Sequence, residues 1–356
     1  MRTACAIVGG GLSGIYAAAL LHHRGVDCRL LEARERLGGR IASVSGASPG
    51  TRFDLGPAWF WPDMQPRLRQ LVSELGLAAF EQQTAGAVLV ERFKLEAPQR
   101  YERGFNTEPR SMRLRGGMQA LVDALASRLP PERIRCNTQV TAIRETQDGV
   151  LELTGPAGRI LALAEHVILA LPPRLVSQMA FAPPLPEPFV QWCRNTPTWM
   201  AGQAKCLAVY ATPFWIANGL SGTASSFVGP MMEIHDASVP QGQPALFGFM
   251  GLSAAARQAL GEAALKEAAL AQLARLFGPE ALSPESLHLL DWAQQPETST
   301  QADWEPPMGH PAYGIPSSFG PLCSGRLILA GTETAAGQGG YLEGALEAAE
   351  AAVLRF

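Results

Sequence analysis

Residues 4–14 read ACAIVGGGLSG, a short apolar run that leads directly into a glycine-rich loop. The run is typical of a β-strand buried on both faces, and the apolar stretch 15–23 predicts a helix behind the loop. Residues 28–31 predict a second strand that ends at Glu32, about twenty residues after Gly11. This order of elements indicates a dinucleotide site: a strand, a G-x-G-x-x-G loop, a helix, a second strand and an acidic residue.

Each part of this segment has its own role in holding a dinucleotide. Gly9 permits the tight turn, Gly11 lets the backbone approach a pyrophosphate, and Gly14 allows close packing of the helix. The N-terminus of the helix faces the phosphates. Glu32 would accept hydrogen bonds from ribose hydroxyls and would disfavour a 2′-phosphate. At this point NAD and FAD are both open as the cofactor.

The residues after Glu32 separate the two cofactors. Residues 32–40 read EARERLGGR, in which two glycines expose backbone N–H groups and an arginine can grip phosphate with two hydrogen bonds. This segment resembles the extended fingerprint of the FAD-dependent amine oxidase superfamily. The resemblance implies that Gly39 and Arg40 lie against the FAD pyrophosphate. Residues 54–59, DLGPAW, resemble the next flavin-contacting loop of the same superfamily.

A second part of the resemblance lies at the other end of the chain. Residues 327–334 read LILAGTET and lead through 337–341, GQGGY, into an amphipathic helical pattern. This region is similar to the C-terminal flavin motif of monoamine and polyamine oxidases. The similarity implies that Glu333 binds FAD and that the residues after Gly340 hold the pyrimidine edge of the ring, where a helix N-terminus would stabilise negative charge. The GTE sequence at 331–333 also disfavours flavin monooxygenases and hydroxylases, which would show a G-D motif.

The resemblance therefore implies a set of residues that bind FAD. Among them, Val140 matches the position where family members hold adenine with backbone groups, and we expect it to lie in a strand over 134–143. The ten residues before Tyr313 hold no cysteine, although covalent members carry their flavin-bound cysteine there, so we expect the FAD to be non-covalent. The expected cofactor-binding residues are Gly9, Gly11, Leu12, Ser13, Gly14, Glu32, Ala33, Arg34, Gly39, Arg40, Gly56, Pro57, Ala58, Trp59, Val140, Gly331, Thr332, Glu333, Gly340, Tyr341 and Leu342.

Lys205 is a candidate catalytic residue, and the chain has only three lysines. Lys205, Leu207 and Val209 share one face of a predicted strand over 203–210, so a cation stands in an apolar row. Residues 205–215 look like the monoamine oxidase segment whose lysine reaches flavin N5 through a water, and the resemblance implies this role for Lys205. The alternative is a lysine whose stem covers apolar surface while its charge reaches water.

Three further residues are candidates for the substrate side of the flavin. In the family, a second aromatic residue faces the counterpart of Tyr341 and forms a cage for the amine. His310 and Tyr313 both fall in the segment that supplies this residue, and the sequence leaves both open. Packing within a loop is the alternative role for either of them.

Composition sets broader limits on the function. The 356 residues suffice for two domains, 47% of them are hydrophobic, and the net charge of −3 offers no basic surface for nucleic acid. The six cysteines are scattered without a C-x-x-C pair, which favours free thiols in a reducing compartment and gives no metal site. Four glycines interrupt the apolar stretch 4–21, so we expect neither a signal peptide nor a membrane span. A cytoplasmic protein is the expectation.

These features predict an α/β flavoprotein of two domains. The first is a Rossmann-like, glutathione-reductase-type FAD-binding domain, and the second is an α+β substrate-binding domain built on a mixed or antiparallel sheet. The expected segments are 1–80, 113–182 and 307–356 for the FAD-binding domain, and 81–112 and 183–306 for the substrate-binding domain.

The resemblance implies an FAD-dependent oxidase. It would transfer a hydride from the C–H next to an amine nitrogen to flavin N5, and reoxidation by O₂ would give H₂O₂. The expected partners are a small-molecule amine and O₂, without nucleic acid or membrane. A renalase-like oxidase of reduced nicotinamide isomers is an alternative suggested by the short chain and its N-terminal motifs, although Lys205 and residues 331–333 disfavour it. A flavin-binding protein without turnover is the other alternative.

Overall fold

The computed structural model describes residues 2–102, 109–305 and 307–356. Within these ranges we number the strands and helices in chain order. The strands are β1 (Arg2–Val8), β2 (Cys28–Leu31), β3 (Ser43–Ser45), β4 (Arg52–Asp54), β5 (Ala79–Glu81), β6 (Ala87–Glu91), β7 (Gln99–Tyr101), β8 (Met112–Leu114), β9 (Ile134–Arg135), β10 (Ala142–Glu145), β11 (Leu151–Thr154), β12 (Ile160–Leu169), β13 (Ala180–Ala182), β14 (Ala204–Val209), β15 (Leu220–Ser226), β16 (Met231–Asp236), β17 (Ala245–Met250), β18 (Ser286–Asp291) and β19 (Leu327–Leu329).

The α-helices vary from single turns to more than four turns. They are α1 (Leu12–His23), α2 (Pro66–Glu74), α3 (Gln119–Ala126), α4 (Pro173–Val176), α5 (Glu187–Asn195), α6 (Phe214–Ala217), α7 (Ala254–Leu260), α8 (Glu262–Phe277) and α9 (Leu342–Val353). In the part of the chain that the structure describes, no helix has the length and apolar character needed to cross a membrane.

An eight-stranded sheet carries the glycine-rich loop. Its order is β13-β10-β11-β12-β1-β2-β9, and β19 pairs with β12. Seven of its eight strands run in the same direction, whereas β11 is antiparallel to both of its neighbours. Helices α1 and α9 pack together against this sheet, with Ile7, Ile15 and Leu346 fully buried between them. Parallel strands are covered on both faces, which explains the continuous apolar run of β1.

A seven-stranded sheet forms the second layer of the molecule. Its order is β18-β14-β17-β16-β15-β6-β7, and all of its pairs are antiparallel except β6 with β15. Helix α8 covers one face, where Leu265 and Leu273 join the buried core around Cys206. The opposite face turns Leu207 and Phe247 towards residues at the end of β4. One face of β14 therefore points at β4, which pairs with β3 in a separate two-stranded sheet, and at the loop after it.

The predicted fold class is confirmed: the chain is α/β, with a Rossmann-like first part and a mixed second sheet. The eight-stranded sheet takes its strands from residues within 1–80, 113–182 and 307–356, and the seven-stranded sheet takes its strands from 81–112 and 183–306. This segregation supports the proposal that these segments form two domains.

Two local expectations differ from the structure. Helix α1 begins at Leu12 rather than at Ile15, so the glycine-rich loop runs directly into its first turn. The single strand expected over 134–143 is wrong, because β9 and β10 lie on different sides of the sheet. Asn137 takes a left-handed φ of 51° and donates its N–H to the Arg34 carbonyl, which turns the chain out of the strand. Apolar periodicity does not register such a change of direction.

Candidate active site

A cavity of about 370 Å³ is lined by residues of both sheets and of the loops between them. Most of the sequence-predicted residues line it. These are Gly9, Gly11, Leu12, Ser13, Glu32, Arg34, Gly39, Arg40, Gly56, Pro57, Ala58, Trp59, Lys205, Gly331, Thr332, Gly340, Tyr341 and Leu342. The predicted residues that do not line it are Gly14, Ala33, Val140, His310, Tyr313 and Glu333.

The glycine-rich loop forms one wall of the cavity. Gly9 has a φ of +102°, and a Cβ there would lie 2.7 Å from the Ala170 carbonyl oxygen. A Cβ at Gly14 would lie 1.9 Å from the Gly9 oxygen, so Gly14 serves the packing of α1 on β1 rather than the cavity. The space beside Gly11 is open, because a Cβ there would come no closer than 3.9 Å to Gly39 Cα. A pyrophosphate could therefore come close to the backbone of this wall.

The Glu32 carboxylate is held at the polar end of the cavity. Its Oε2 accepts a 2.6 Å hydrogen bond from the Gly10 N–H, and its Oε1 accepts one of 2.9 Å from the Arg34 N–H. Glu32 is only 4% exposed, and the Arg34 guanidinium beside it donates to Thr298 Oγ1 at 2.8 Å. Two backbone donors keep this carboxylate oriented, with acceptor capacity remaining for the hydroxyls of a ribose.

Arg40 and Glu333 form a bidentate ion pair beneath the cavity wall. The Nη1–Oε1 and Nη2–Oε2 distances are 2.6 and 3.1 Å, and Glu333 is fully buried. Arg40 also donates to the Trp199 carbonyl oxygen at 3.2 Å. Arg40 lines the cavity whereas Glu333 does not, and the expectation that Glu333 binds the cofactor stays a prediction. The Glu333 carboxylate holds the Arg40 guanidinium with both of its oxygens. Its charge therefore neutralises the arginine and fixes its orientation.

Lys205 lies on the face of β14 that points at the end of β4 and the loop after it. Its Nζ donates to the carbonyl oxygens of Gly56 and Asp54 at 2.7 and 3.1 Å. It also lies 4.2 Å from the centroid of the Phe247 ring. Lys205 is only 2% exposed, so the alternative of a charge that reaches water is wrong. Burial lowers the Lys205 pKa to about 7, an effect that the nearby Asp54 carboxylate partly opposes.

His310, rather than Tyr313, lies face to face with Tyr341. The His310 and Tyr341 rings are stacked, with centroids 4.8 Å apart and planes at 8°. The Tyr313 hydroxyl instead donates to the Pro197 carbonyl oxygen at 2.9 Å. Directly stacked rings leave no space for a substrate between them, so the His310–Tyr341 pair covers the outer face of Tyr341. Neither His310 nor Tyr313 lines the cavity.

Two tryptophans that the sequence motifs did not indicate, Trp61 and Trp199, line the cavity beside Tyr341. The Trp61 and Tyr341 rings are 6.5 Å apart at 89°, and the Trp199 and Tyr341 rings are 6.2 Å apart at 59°. Trp199 can approach because position 340 is glycine: a Cβ there would lie 2.7 Å from Trp199 Cβ. In the sequence, each of the two tryptophans stands out only as a large aromatic residue in a loop. A loop has no periodicity from which the direction of a side chain could be predicted.

A glycine-lined wall with a buried acid at one end is typical of dinucleotide-binding proteins. Residues 7–75 match the NAD(P)-binding Rossmann-like domain family, and residues 87–355 match the family of flavin containing amine oxidoreductases. The chain belongs to the flavin containing amine oxidoreductase family, as its motifs predicted. The cofactor of this family is a flavin.

Individual relatives agree with this assignment. The chain is 31% identical over 251 residues to an L-amino acid dehydrogenase of Synechocystis sp., which covers 68% of this chain and 50% of that protein. It is 30% identical over 233 residues to the flavin-containing amine oxidase B of Cavia porcellus, which covers 62% of this chain and 42% of that protein. The chain thus spans about half the length of these curated relatives.

Solved structures show the same fold over the whole chain. Putrescine oxidase bound to putrescine superposes with a TM-score of 0.80 at 22% identity, covering 100% of this chain and 99% of that chain. Cyclohexylamine oxidase from Brevibacterium oxydans IH-35A superposes with a TM-score of 0.80 at 20% identity, covering 99% of this chain and 98% of that chain. At these identities the likeness concerns the fold alone.

Proposed function

We propose that this chain is an FAD-dependent amine oxidase that holds its FAD without a covalent bond. The observation that carries the proposal is one cavity that joins Glu32, the glycine-rich loop and Lys205 in a member of the amine oxidoreductase family. The proposed substrates are small amines, and the proposed electron acceptor is O₂. The proposed FAD-binding domain comprises residues 1–80, 113–182 and 307–356.

The residues present fit FAD along the length of the cavity. Glu32 would bind the adenosine ribose, and the open backbone at Gly11 and Gly39 would receive the pyrophosphate beside the Arg40 guanidinium. The N-terminus of α9, which follows Tyr341, presents N–H groups and the positive end of the helix dipole to the cavity. Among the described residues, neither a cysteine nor a histidine lines the cavity, which supports non-covalent binding.

Bound FAD would supply the removal of a hydride from the carbon next to the amine nitrogen, with O₂ as the final acceptor and H₂O₂ as a product. Two of the three N–H groups of the Lys205 ammonium already bind carbonyl oxygens. The third would supply a hydrogen-bond donor, and the ammonium a positive charge, at a wall of the cavity that excludes water. Trp59 and Phe249 beside it would exclude water from this part of the site. The resulting imine would be hydrolysed by water.

An anaerobic reduction experiment tests this function. Protein saturated with FAD is mixed without oxygen with a panel of amines and, separately, with reduced nicotinamide isomers. We expect amines to bleach the absorbance of oxidised flavin, and admission of O₂ to restore it with formation of H₂O₂. Bleaching by nicotinamides alone, or by none of the compounds, would contradict the proposal.

A further inference from the structure

Arg34 joins a loop of the eight-stranded sheet to a loop of the seven-stranded sheet at the polar end of the cavity. Its backbone follows β2, where its N–H donates to Glu32 Oε1 at 2.9 Å and its carbonyl oxygen accepts from the Asn137 N–H at 2.8 Å. Its side chain reaches the segment after β18: Nη2 donates to Thr298 Oγ1 at 2.8 Å, and Nε lies 3.5 Å from Glu297 Oε2. Arg34, Glu297 and Thr298, which we call the polar latch, all line the cavity.

The polar latch lies on the solvent side of the Glu32 carboxylate. Glu32 is 4% exposed, whereas the side chains of Arg34 and Glu297 are 10% and 34% exposed. Exposure therefore increases from the carboxylate that would bind the ribose towards Glu297. Thr298 is almost completely buried, so its hydrogen bond with the guanidinium is shielded from water. A dinucleotide that binds at Glu32 would have the latch between its adenosine end and solvent.

The segment that carries Glu297 and Thr298 is anchored on both sides of them. Before them, Trp292 donates its backbone N–H and its Nε1 to two carbonyl oxygens, at 2.9 and 3.1 Å. After them, the buried Asp303 carboxylate accepts from the Thr198 N–H at 2.9 Å. Between these anchors, the residues can move away from the cavity only if the polar latch opens.

The contacts of the polar latch join protein to protein, so they do not depend on what occupies the cavity. A shielded hydrogen bond to a charged group stabilises the closed arrangement more than a partly exposed ion pair does. Thr298 should therefore contribute most of the stability of the latch, and Glu297 a smaller part that salt screens. A closure of this kind slows the entry and the exit of a ligand alike and leaves its affinity nearly unchanged.

We propose that the polar latch controls the exchange of FAD. It closes the adenosine end of the cavity once FAD is bound, and it must open before FAD leaves. Glu297 and Thr298 would thus retain the cofactor without being needed for its affinity. The inference rests on the FAD-dependent function proposed above, but it does not depend on which amine is oxidised.

Dilution of the FAD-loaded protein tests the latch, because the fluorescence of the flavin reports its release. The rate of the fluorescence change gives the dissociation rate constant, and the final value over a series of dilutions gives Kd. Thr298→Val removes the hydroxyl and keeps the shape of the side chain. It should release FAD about 10-fold faster than the wild type, with Kd changed by less than about 2-fold. Thr298→Ser keeps the hydroxyl and should release FAD at nearly the wild-type rate.

Glu297→Gln isolates the outer part of the latch. It should release FAD about 2- to 5-fold faster at low salt, because one charge of the ion pair is lost. Added salt should speed release from the wild type and have less effect on this variant. Glu305→Gln is the matched control, since Glu305 is an exposed carboxylate further along the same segment that does not line the cavity. It should behave as the wild type does.

An unchanged release rate in Thr298→Val would overturn the inference. A Kd that rises in proportion to the release rate would overturn it too, since Thr298 would then act on bound FAD rather than on its exchange. Faster release from Thr298→Val at unchanged Kd, without reduction of the flavin by any amine, would refute the oxidase and leave the latch. Reduction by amines together with unchanged release would refute the latch and leave the oxidase.

Discussion

Lys205 is an almost completely buried cation. Its ammonium lies among backbone carbonyl oxygens and aromatic rings rather than beside a directly bonded carboxylate. Burial disfavours the charged form and lowers its pKa from 10.5 to about 7. Near neutral pH this residue can therefore exist in either protonation state, which suits a group placed beside a redox cofactor.

The lowered pKa of Lys205 predicts a pH dependence of stability. Between pH 7 and 10.5 the unfolded chain binds a proton that the folded chain does not, so the free energy of unfolding should rise with pH. Below that window both states are protonated and the contribution to the slope vanishes. Urea unfolding of the FAD-saturated protein should show a slope steeper than that of Lys205→Met by about 1 kcal/mol per pH unit.

Lys266→Met is the control, because Lys266 forms a 2.6 Å ion pair with Glu262 on the surface of α8. It should retain the slope of the wild type. If Lys205→Met and the wild type have the same pH slope across this window, Lys205 keeps an ordinary pKa in the folded protein.

At the scale of elements, helix α2 is capped by a carboxylate from helix α9. The N-cap residue of α2, Gln65, makes no capping hydrogen bond with its side chain. Instead, Glu343 Oε1 and Oε2 accept from the N–H groups of Arg67 and Leu68 at 3.0 and 2.9 Å. Negative charge at a helix N-terminus satisfies unpaired donors and interacts favourably with the helix dipole. The contact also ties α2, which begins next to Gln65, to the helix that follows Tyr341.

Glu343→Ala should destabilise the folded protein by about 2 kcal/mol, since it leaves two N–H groups of a partly buried helix end without their acceptor. Thermal or urea unfolding measures this effect. Glu343→Gln keeps one acceptor oxygen and should cost less. Glu267→Ala, at an exposed position of α8, should change stability by under about 0.5 kcal/mol. A Glu343→Ala protein as stable as this control would exclude the capping role.

At the scale of the whole molecule, polar contacts join the seven-stranded sheet and the segments beside it to β4, the loop after β4 and β8, which belong to two separate two-stranded sheets. Lys205 of β14 binds the carbonyl oxygens of Asp54 and Gly56, and Trp292 Nε1 donates to the Leu55 carbonyl at 3.1 Å. Arg113 of β8 donates in the opposite direction, to the carbonyls of Ala237 and Ser238. Leu55, Gly56, Lys205 and Trp292 also line the cavity, so the same contacts help to enclose it, which supports the proposed non-covalent binding of a cofactor.

Acid precipitation should release the flavin of the purified protein. Unfolding by acid removes every non-covalent contact of the cavity, and no cysteine or histidine lines it within the described ranges. We expect a yellow supernatant with the spectrum of free FAD and a colourless pellet. A covalent flavoprotein treated in parallel serves as the control for incomplete extraction. Flavin that stays in the pellet of this protein would contradict non-covalent binding.

Much of the first sheet and its cofactor wall could be predicted from the sequence because the determining interactions are local. Gly9, Gly11 and Glu32 lie within one strand, helix and strand unit, where chain direction and spacing alone bring them to one edge of the sheet. Lys205 could be assigned to a buried strand face because a period of two places it in the same row as Leu207. The motifs at both ends likewise predicted the family.

Only the tertiary structure decided how distant side chains meet. The Arg40–Glu333 pair joins residues 293 positions apart, and the stacking of His310 on Tyr341 and the placement of Trp199 depend on loops without periodicity. Whether an aromatic ring forms a cage or closes against its neighbour is a matter of a few ångströms. Sequence patterns record repeats along the chain, whereas these distances are set by how loops from distant parts of the chain pack against one another.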